Sequence, residues 1–296
     1  MKPPSFSYHD PRSMADVIGL LASLDNAKLL AGGQSLMPML NMRFVLPDHV
    51  IDLNRVDGLN YIREANGARE FSAIEIGAMT RQRDIEFSDL VRRRCPLMHE
   101  AIAQVGHRQT RNRGTLGGSL CHLDPAAELV AVAAALDATL TVHGKNGARD
   151  IEFATFPVAY MTPSLEAGEL LTGARFPCWS ERHGHAFVEF SRRHGDFAIV
   201  SAAALIEEDA EGKVTRASVT LGGMGPAPLR ASEVERALIG EKIDDKRLRE
   251  ICEPLRQRDA VDDIHAPAAY RQQLATVLSR RALLKAHERI VAGLRS

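Results

Sequence analysis

Cysteine is scarce and scattered in this chain of 296 residues. Cys95, Cys121, Cys178 and Cys252 show no CxxC spacing. Local pairing therefore builds neither an iron–sulfur site nor a structural zinc site, and buried free thiols are expected. Any redox chemistry has to come from an organic cofactor. An apolar run of membrane-spanning length is missing as well, and the opening Met1-Lys2-Pro3-Pro4-Ser5 lacks the apolar core of a signal peptide. A cytoplasmic protein is expected. Charge of one sign is not in surplus: 37 Lys plus Arg against 38 Asp plus Glu leave a net charge of -1, which provides no basic surface for nucleic acid. No repeat of solenoid period and no low-complexity stretch occurs. There is no convincing acid/base pair, Ser-His-Asp set or metal-ligand cluster, so no side chain is assigned as a catalyst and none as a metal ligand.

What is present is an ordinary globular composition, 45% hydrophobic and 25% charged, in a chain long enough for two or three subdomains around a sizeable core. The most informative stretch is Lys28-Leu29-Leu30-Ala31-Gly32-Gly33-Gln34-Ser35-Leu36. It reads as a strand breaking into a glycine pair and then a short helix. Glycines admit positive φ and a close ligand approach, and successive amides in such a turn converge on an anion. By itself such a pair more often marks an ordinary tight turn. A second stretch, Gln109-Thr110-Arg111-Asn112-Arg113-Gly114-Thr115-Leu116-Gly117-Gly118-Ser119, again ends in Gly-Gly-Ser. Neither turn has the G-x-G-x-x-G form, and neither is followed by the Gly-Lys-Ser/Thr of a P-loop. Two such turns can instead grip one pyrophosphate from two sides. Asp124 and Glu128, just beyond the second turn, are acceptors suited to sugar hydroxyls. Asp124 is equally suited to N-cap a helix with Pro125 in its first position.

Around these turns, Ser13 with Asp16 predicts a capped amphipathic helix through Leu24. Strands are expected at Lys28–Ala31, Val50–Leu53, Tyr61–Ile62, Ile74–Ile76, Thr139–His143 and Arg149–Phe153, with a turn at Asn66-Gly67. Pro96 should split Ser88–Gln104 into two helices. Beyond Pro177 the character changes: strands at Ala186–Arg193, Ile199–Glu207 and Val214–Gly222 precede helices at Ser232–Ile239, Asp245–Arg256 and Ala268–Val291. Strands followed by helices predict an α+β unit with helices on one face of an antiparallel sheet.

The segments Lys28–Leu36, Gln109–Ser119 with Asp124–Glu128, Glu169–Pro177 and Arg192-Arg193-His194-Gly195-Asp196-Phe197-Ala198, in this order and spacing, resemble the FAD-binding medium subunit of molybdenum hydroxylases. That family takes in the carbon monoxide dehydrogenase medium subunit and the flavin domain of xanthine dehydrogenase. The resemblance covers nearly the whole chain. It implies an α+β fold: an FAD-binding domain of the vanillyl-alcohol-oxidase-like (PCMH) type over residues 1–177, with subdomains of about 1–57 and 58–177, then a C-terminal flavoprotein domain over 178–296 with a three-stranded antiparallel sheet and helices.

By resemblance, Lys28, Leu29, Leu30, Ala31, Gly32, Gly33, Gln34, Ser35 and Leu36 line FAD, with the Gly32–Ser35 amides toward the pyrophosphate. Thr115, Leu116, Gly117, Gly118 and Ser119 form the opposite wall. Ala78 lines the pocket and Gly106 lies close to the flavin. Glu128 matches the ribityl-binding acid, with His122 and Asp124 beside it. Leu171 touches the adenine end or the ring edge, and Phe197 covers one face of the isoalloxazine. FAD is expected to be non-covalent. Val105 replaces an aromatic of the xanthine dehydrogenase branch and Val188 replaces a lysine, which argues against a nicotinamide acceptor gripped as in that branch. Arg108, Arg111 and Arg113 face an iron–sulfur partner, neutralise FAD phosphates, or form a solvated loop.

The resemblance further implies a large molybdopterin-binding subunit and a small [2Fe–2S] subunit, in a dimer of heterotrimers. This chain would collect electrons on FAD and deliver them to an external acceptor. A self-contained FAD-dependent oxidase or dehydrogenase of the same fold, and a non-catalytic phosphate-ligand-binding module, are the other readings.

Overall fold

The computed structural model describes residues 1–65 and 73–293; the expected Asn66-Gly67 turn lies outside them. The chain opens with β1 (Ser7–His9), α1 (Met14–Ser23), β2 (Ala27–Leu30), α2 (Leu36–Asn41) and β3 (His49–Asp52). Ser13 caps α1 as its sequence predicts, accepting from the Asp16 amide at 3.1 Å. The three strands form a parallel sheet in the order β1-β3-β2. Val17 of α1 packs with Ile51, Leu53 and Val56 beneath it. The Lys28–Leu36 stretch therefore leaves the edge of a small sheet and turns at Gly33, where φ is +74°.

The next unit runs through β4 (Ile62–Ala65), β5 (Ala73–Gly77), α3 (Gln82–Glu86), α4 (Asp89–Arg94), α5 (Pro96–Ile102), α6 (Arg108–Arg113), α7 (Leu116–His122), α8 (Glu128–Ala135), β6 (Thr139–Gly144), β7 (Gly147–Glu152), β8 (Pro157–Ala159), β9 (Thr162–Pro163) and β10 (Leu170–Pro177). Pro96 splits the helical stretch where expected and opens α5. Antiparallel pairing places the main strands in the order β4-β5-β10-β6-β7. The helices cover this sheet through a core that includes Ile76, Leu97, Ile102, Leu116, Leu120, Val130 and Leu140.

One local expectation fails here. Asp124 does not cap α8: its Oδ1 accepts from the Ala126 amide at 2.9 Å, and the helix starts at Glu128 with Ala127 as its N-cap. The Pro125 carbonyl accepts from the Gly223 amide at 2.9 Å. That bond occupies the carbonyl a helix opening at Pro125 would offer to the Leu129 amide, and residues 124–127 close a separate turn, the Ala127 amide donating to the Asp124 carbonyl at 2.9 Å, so the helix starts three residues later.

The final unit comprises β11 (Gly184–Phe190), β12 (Val200–Glu208), β13 (Val214–Gly222), β14 (Leu229–Arg230), α9 (Ser232–Leu238), α10 (Asp245–Cys252) and α11 (Ala268–Gly293). Its antiparallel sheet has four strands rather than the expected three, in the order β11-β12-β13-β14. The additional strand pairs two residues, Leu229 and Arg230, with Leu221 and Thr220, a run too short to show period-two alternation. Both faces of this sheet are covered. Along β12, Val200, Ala202, Ala204 and Ile206 face α9, α10 and α11, whereas Ala203 and Leu205 join the core of the preceding unit.

Charged groups fasten that joint. Glu100 of α5 accepts from Arg289 Nη1 at 2.7 Å, from the Phe187 amide at 3.0 Å and from Lys285. Burial opposes its ionisation, but these bonds outweigh burial and hold its carboxyl down at about 2. At the far end of α8, Arg230 Nη1 and Ser218 Oγ donate to the Ala134 and Ala135 carbonyls at 3.0 and 2.7 Å, satisfying helix-terminal acceptors. No helix among the described residues is long and apolar enough to cross a membrane.

Candidate functional site

The strand leaving β2 and the segment before α7 bring the two glycine turns into direct contact. A Cβ on Gly32 would overlap the Arg113 carbonyl and lie 2.8 Å from the Gly114 Cα. Glycine is therefore required at position 32 by close approach rather than by its own φ. Between the turns lies a cavity of about 560 Å³. Its wall includes Lys28, Leu29, Ala31, Gly32, Gly33, Gln34, Ser35, Leu36, Ala78, Thr115, Gly117, Gly118, Ser119, His122, Asp124, Glu128, Leu171 and Phe197. Thus the sequence-predicted residues converge, with three exceptions. Leu30 supports the turn from below, its Cδ1 lying 3.3 Å from where a Gly33 Cβ would stand. Leu116 is core, 1% exposed. Gly106, at φ +47°, stands off the wall and its carbonyl accepts from Arg111.

The turns differ in what their amides are doing. In the second, Leu116 donates to Thr80 O at 3.1 Å, Gly117 to Ala78 O at 2.8 Å, Ser119 to Thr115 O at 3.2 Å, and Gly118 to Thr115 Oγ1 at 3.0 Å. This wall is stitched internally. Among the described residues, the amides of Gly32, Gly33, Gln34, Ser35 and Leu36 have no protein acceptor. Five adjacent unpaired donors on residues that line a cavity suit an anion. Since α2 has six residues, the individual N–H groups rather than a long helix dipole supply that preference.

On the cavity wall Glu128 is 4% exposed. Burial, reinforced by the charges of Glu189 and Asp124, pushes its carboxyl up to about 8 despite Arg111 nearby. At neutral pH it holds a proton, so it can both donate to and accept from a sugar hydroxyl. Burial lowers the His122 pKa, with Asp124 opposing, so that ring is a neutral donor–acceptor. Burial also drives the Cys121 thiol up to about 12, which makes it an inert wall group.

Several wall residues were not anticipated: Met39, Val45, Leu53, Met79, Gln82, Thr110, Met161, Pro163 and Leu165. The apolar ones carry no motif. Gln82, 5% exposed with Oε1 lacking a partner, opens the polar helix Gln82–Glu86, where nothing in the sequence sets it apart from its neighbours. Arg111 is spent internally. It pairs with Glu86 at 2.8 and 3.1 Å and donates to Val105 O at 3.0 Å, so it braces the Gly106 loop, while Arg108 and Arg113 are exposed.

A second cavity, of about 610 Å³, adjoins the first and shares Asp124 and Phe197 with it. Phe197 is 57% exposed, so it is not a core side chain. Tyr160, Arg192, Asp263, His265 and Arg271 also line this cavity.

An FAD isoalloxazine is a planar aromatic system, its ribityl chain carries hydroxyls and its pyrophosphate is anionic. The free amides of the first turn, the protonated Glu128 and the exposed Phe197, all on this wall, supply groups that suit those parts. Residues 4–179 match the FAD-binding domain in molybdopterin dehydrogenase, and residues 185–286 match the CO dehydrogenase flavoprotein C-terminal domain. The chain is 40% identical to the 6-hydroxypseudooxynicotine dehydrogenase complex subunit alpha of Paenarthrobacter nicotinovorans, over 98% of this chain and 97% of that one. It superposes on carbon monoxide dehydrogenase from Hydrogenophaga pseudoflava with a TM-score of 0.92 at 34% identity, covering 98% of this chain and 99% of that chain. Quinoline 2-oxidoreductase from Pseudomonas putida 86 gives the same TM-score and identity, over 97% and 99% of the two chains. The chain belongs to the family of FAD-binding medium subunits of molybdenum hydroxylases.

Proposed function

We propose that this chain is the flavoprotein subunit of a heterotrimeric molybdenum hydroxylase, taking electrons from a [2Fe–2S] partner subunit and delivering them to an external acceptor. The observation that carries this reading is the cavity closed by two touching glycine turns, one of which has its amides free. When bound there, FAD supplies the redox chemistry. The chain's own residues bind, orient and shield it. The Gly32–Leu36 amides take the pyrophosphate. Ala78, Thr115, Gly117, Gly118 and Ser119 form the opposing wall. Glu128, with His122 and Asp124 beside it, takes the ribityl hydroxyls. Leu171 packs on the cofactor, and Phe197 covers the flavin face that meets the second cavity, where an acceptor approaches. Leu30, Leu116 and Gly106 act from behind the wall.

The FAD-binding domain spans residues 1–177, divided near 57, and the C-terminal domain 178–296. The working location is the cytoplasm, and molybdopterin and the [2Fe–2S] clusters reside in the large and small partner subunits of a paired heterotrimer. Relatives of this fold bear names for substrates as unlike as carbon monoxide, caffeine and 6-hydroxypseudooxynicotine. That diversity supports placing substrate choice outside this chain. The test is a visible spectrum and mass analysis of the purified chain. FAD released on denaturation, and bleached by substrate when both partners are added, is the expected result. Bleaching by substrate with the chain alone would favour a self-contained oxidase, and absence of flavin would defeat the reading.

A further inference from the structure

The geometry points to Arg81 and Asn54 as positioning residues that set the two glycine turns for the FAD pyrophosphate, an inference that rests on the flavoprotein reading. Neither side chain lines the cavity. Each instead holds the carbonyl immediately before a glycine turn. Asn54 Nδ2 donates to the Ala31 carbonyl at 3.0 Å, and Arg81 Nη1 donates to the Arg113 carbonyl at 2.5 Å. The two holders are joined to each other, Arg81 Nη2 donating to Asn54 Oδ1 at 2.5 Å.

A trans peptide is planar, so the carbonyl of Ala31 and the N–H of Gly32 point in opposite directions. Anchoring that carbonyl on Asn54 therefore aims the Gly32 N–H. The Arg113 carbonyl is the group against which Gly32 packs without room for a Cβ. Anchoring it on Arg81 fixes the separation of the turns. The brace is itself held. Asp52 Oδ1 accepts from the Asn54 amide at 2.8 Å, and Asp52 Oδ2 accepts from Tyr8 Oη at 2.7 Å. On the other side Arg81 pairs as a β-bridge with Thr115.

Arginine suits this place because its forked, planar head reaches two acceptors at once, which a single ammonium does not reproduce. Both acceptors named are neutral oxygens, so the positive charge beneath the turns is not cancelled by a bonded carboxylate. Burial and the neighbouring Arg113 lower the Arg81 pKa, with Asp84 and Asp52 opposing, and a bound anion would relieve that crowding of positive charge.

The test uses the full chain stripped of flavin and reloaded with FAD, comparing the parent with Arg81→Gln, Arg81→Lys and Asn54→Ala. The Kd for FAD should rise about tenfold or more in Arg81→Gln and Asn54→Ala, with Arg81→Lys recovering part of the loss. At saturating FAD, the 31P resonances of the bound pyrophosphate should shift while the flavin absorption bands keep the parental shape. A merely structural role would not separate those two signals. Unchanged affinity and 31P resonances in both variants would overturn the inference, as would altered flavin bands with unmoved 31P resonances. If Arg81→Gln does not fold, the Asn54→Ala comparison decides by the same criteria. A parent chain that takes up no FAD would instead defeat the flavoprotein reading.

Discussion

The two glycine turns look alike in sequence and are wired in opposite ways. At Gly114–Ser119 the amides of Leu116, Gly117, Gly118 and Ser119 are consumed by Thr80, Ala78 and Thr115. At Gly32–Leu36 the amides have no acceptor among the described residues. The glycines of the second turn buy closeness to Ala78, since a Cβ on Gly117 would stand 2.6 Å from the Ala78 Cβ. Those of the first turn bring free donors to a ligand. The same composition thus serves as a rigid wall in one place and an anion cradle in the other, and the difference lies in which neighbours take the N–H groups.

The sharpest way to break this comparison is Gly32→Val. Its side chain would force the turns apart against backbone, costing about 3 kcal/mol or more. FAD affinity should fall at least about a hundredfold, read by fluorescence titration. A control far from both turns is Glu100→Gln, which leaves Arg289, Lys285 and the Phe187 amide short of an acceptor. Allowing for partial exposure of the two cations, it should cost about 2 kcal/mol in thermal or urea unfolding, with FAD affinity within about twofold of the parent.

Glu128→Gln probes the acid at the cavity wall. The folded carboxyl titrates near 8 against 4.5 for the ordinary group, so the folded chain binds the extra proton. The flavin-free parent is therefore most stable below about 4.5 on this account and loses that contribution as pH rises through 8. The variant cannot titrate. It should melt above the parent at pH 8 by up to about 4 kcal/mol, with the difference shrinking as pH falls and vanishing below about 4.5. The smallest effect is expected from Thr115→Ala, which removes the cap on α7 for about 1 kcal/mol. Stability should drop while FAD affinity changes little, the reverse of the pattern at Gly32.

Much of this arrangement was legible in the chain. Ser13 with Asp16, the Pro96 break and the apolar runs of the C-terminal strands are local signals, and local chemistry decided them. The cavity wall was legible where glycine pairs or a carboxylate marked it. The start of α8 was not, because the amide that takes the Pro125 carbonyl comes from Gly223, almost a hundred residues away. The β14 strand was too short to carry a period. Met39, Val45, Leu53 and Leu165 look like any core residue, and only their convergence on one cavity distinguishes them. The role of Arg111 was not legible for a related reason: a cation near a glycine turn fits a phosphate, a partner or a solvated loop, and the pairing with Glu86 on a different helix shows only in the fold.

The central claim is that the first turn donates to FAD and the second merely walls it. Hydrogen exchange of the full chain, with and without FAD, tests this most directly, comparing peptides over residues 32–36 with peptides over 116–119. The account predicts amides in the first segment that exchange freely without flavin and become protected on binding, while the second segment is already protected and stays so. Equal gains in both segments, or protection gained in the second alone, would contradict it.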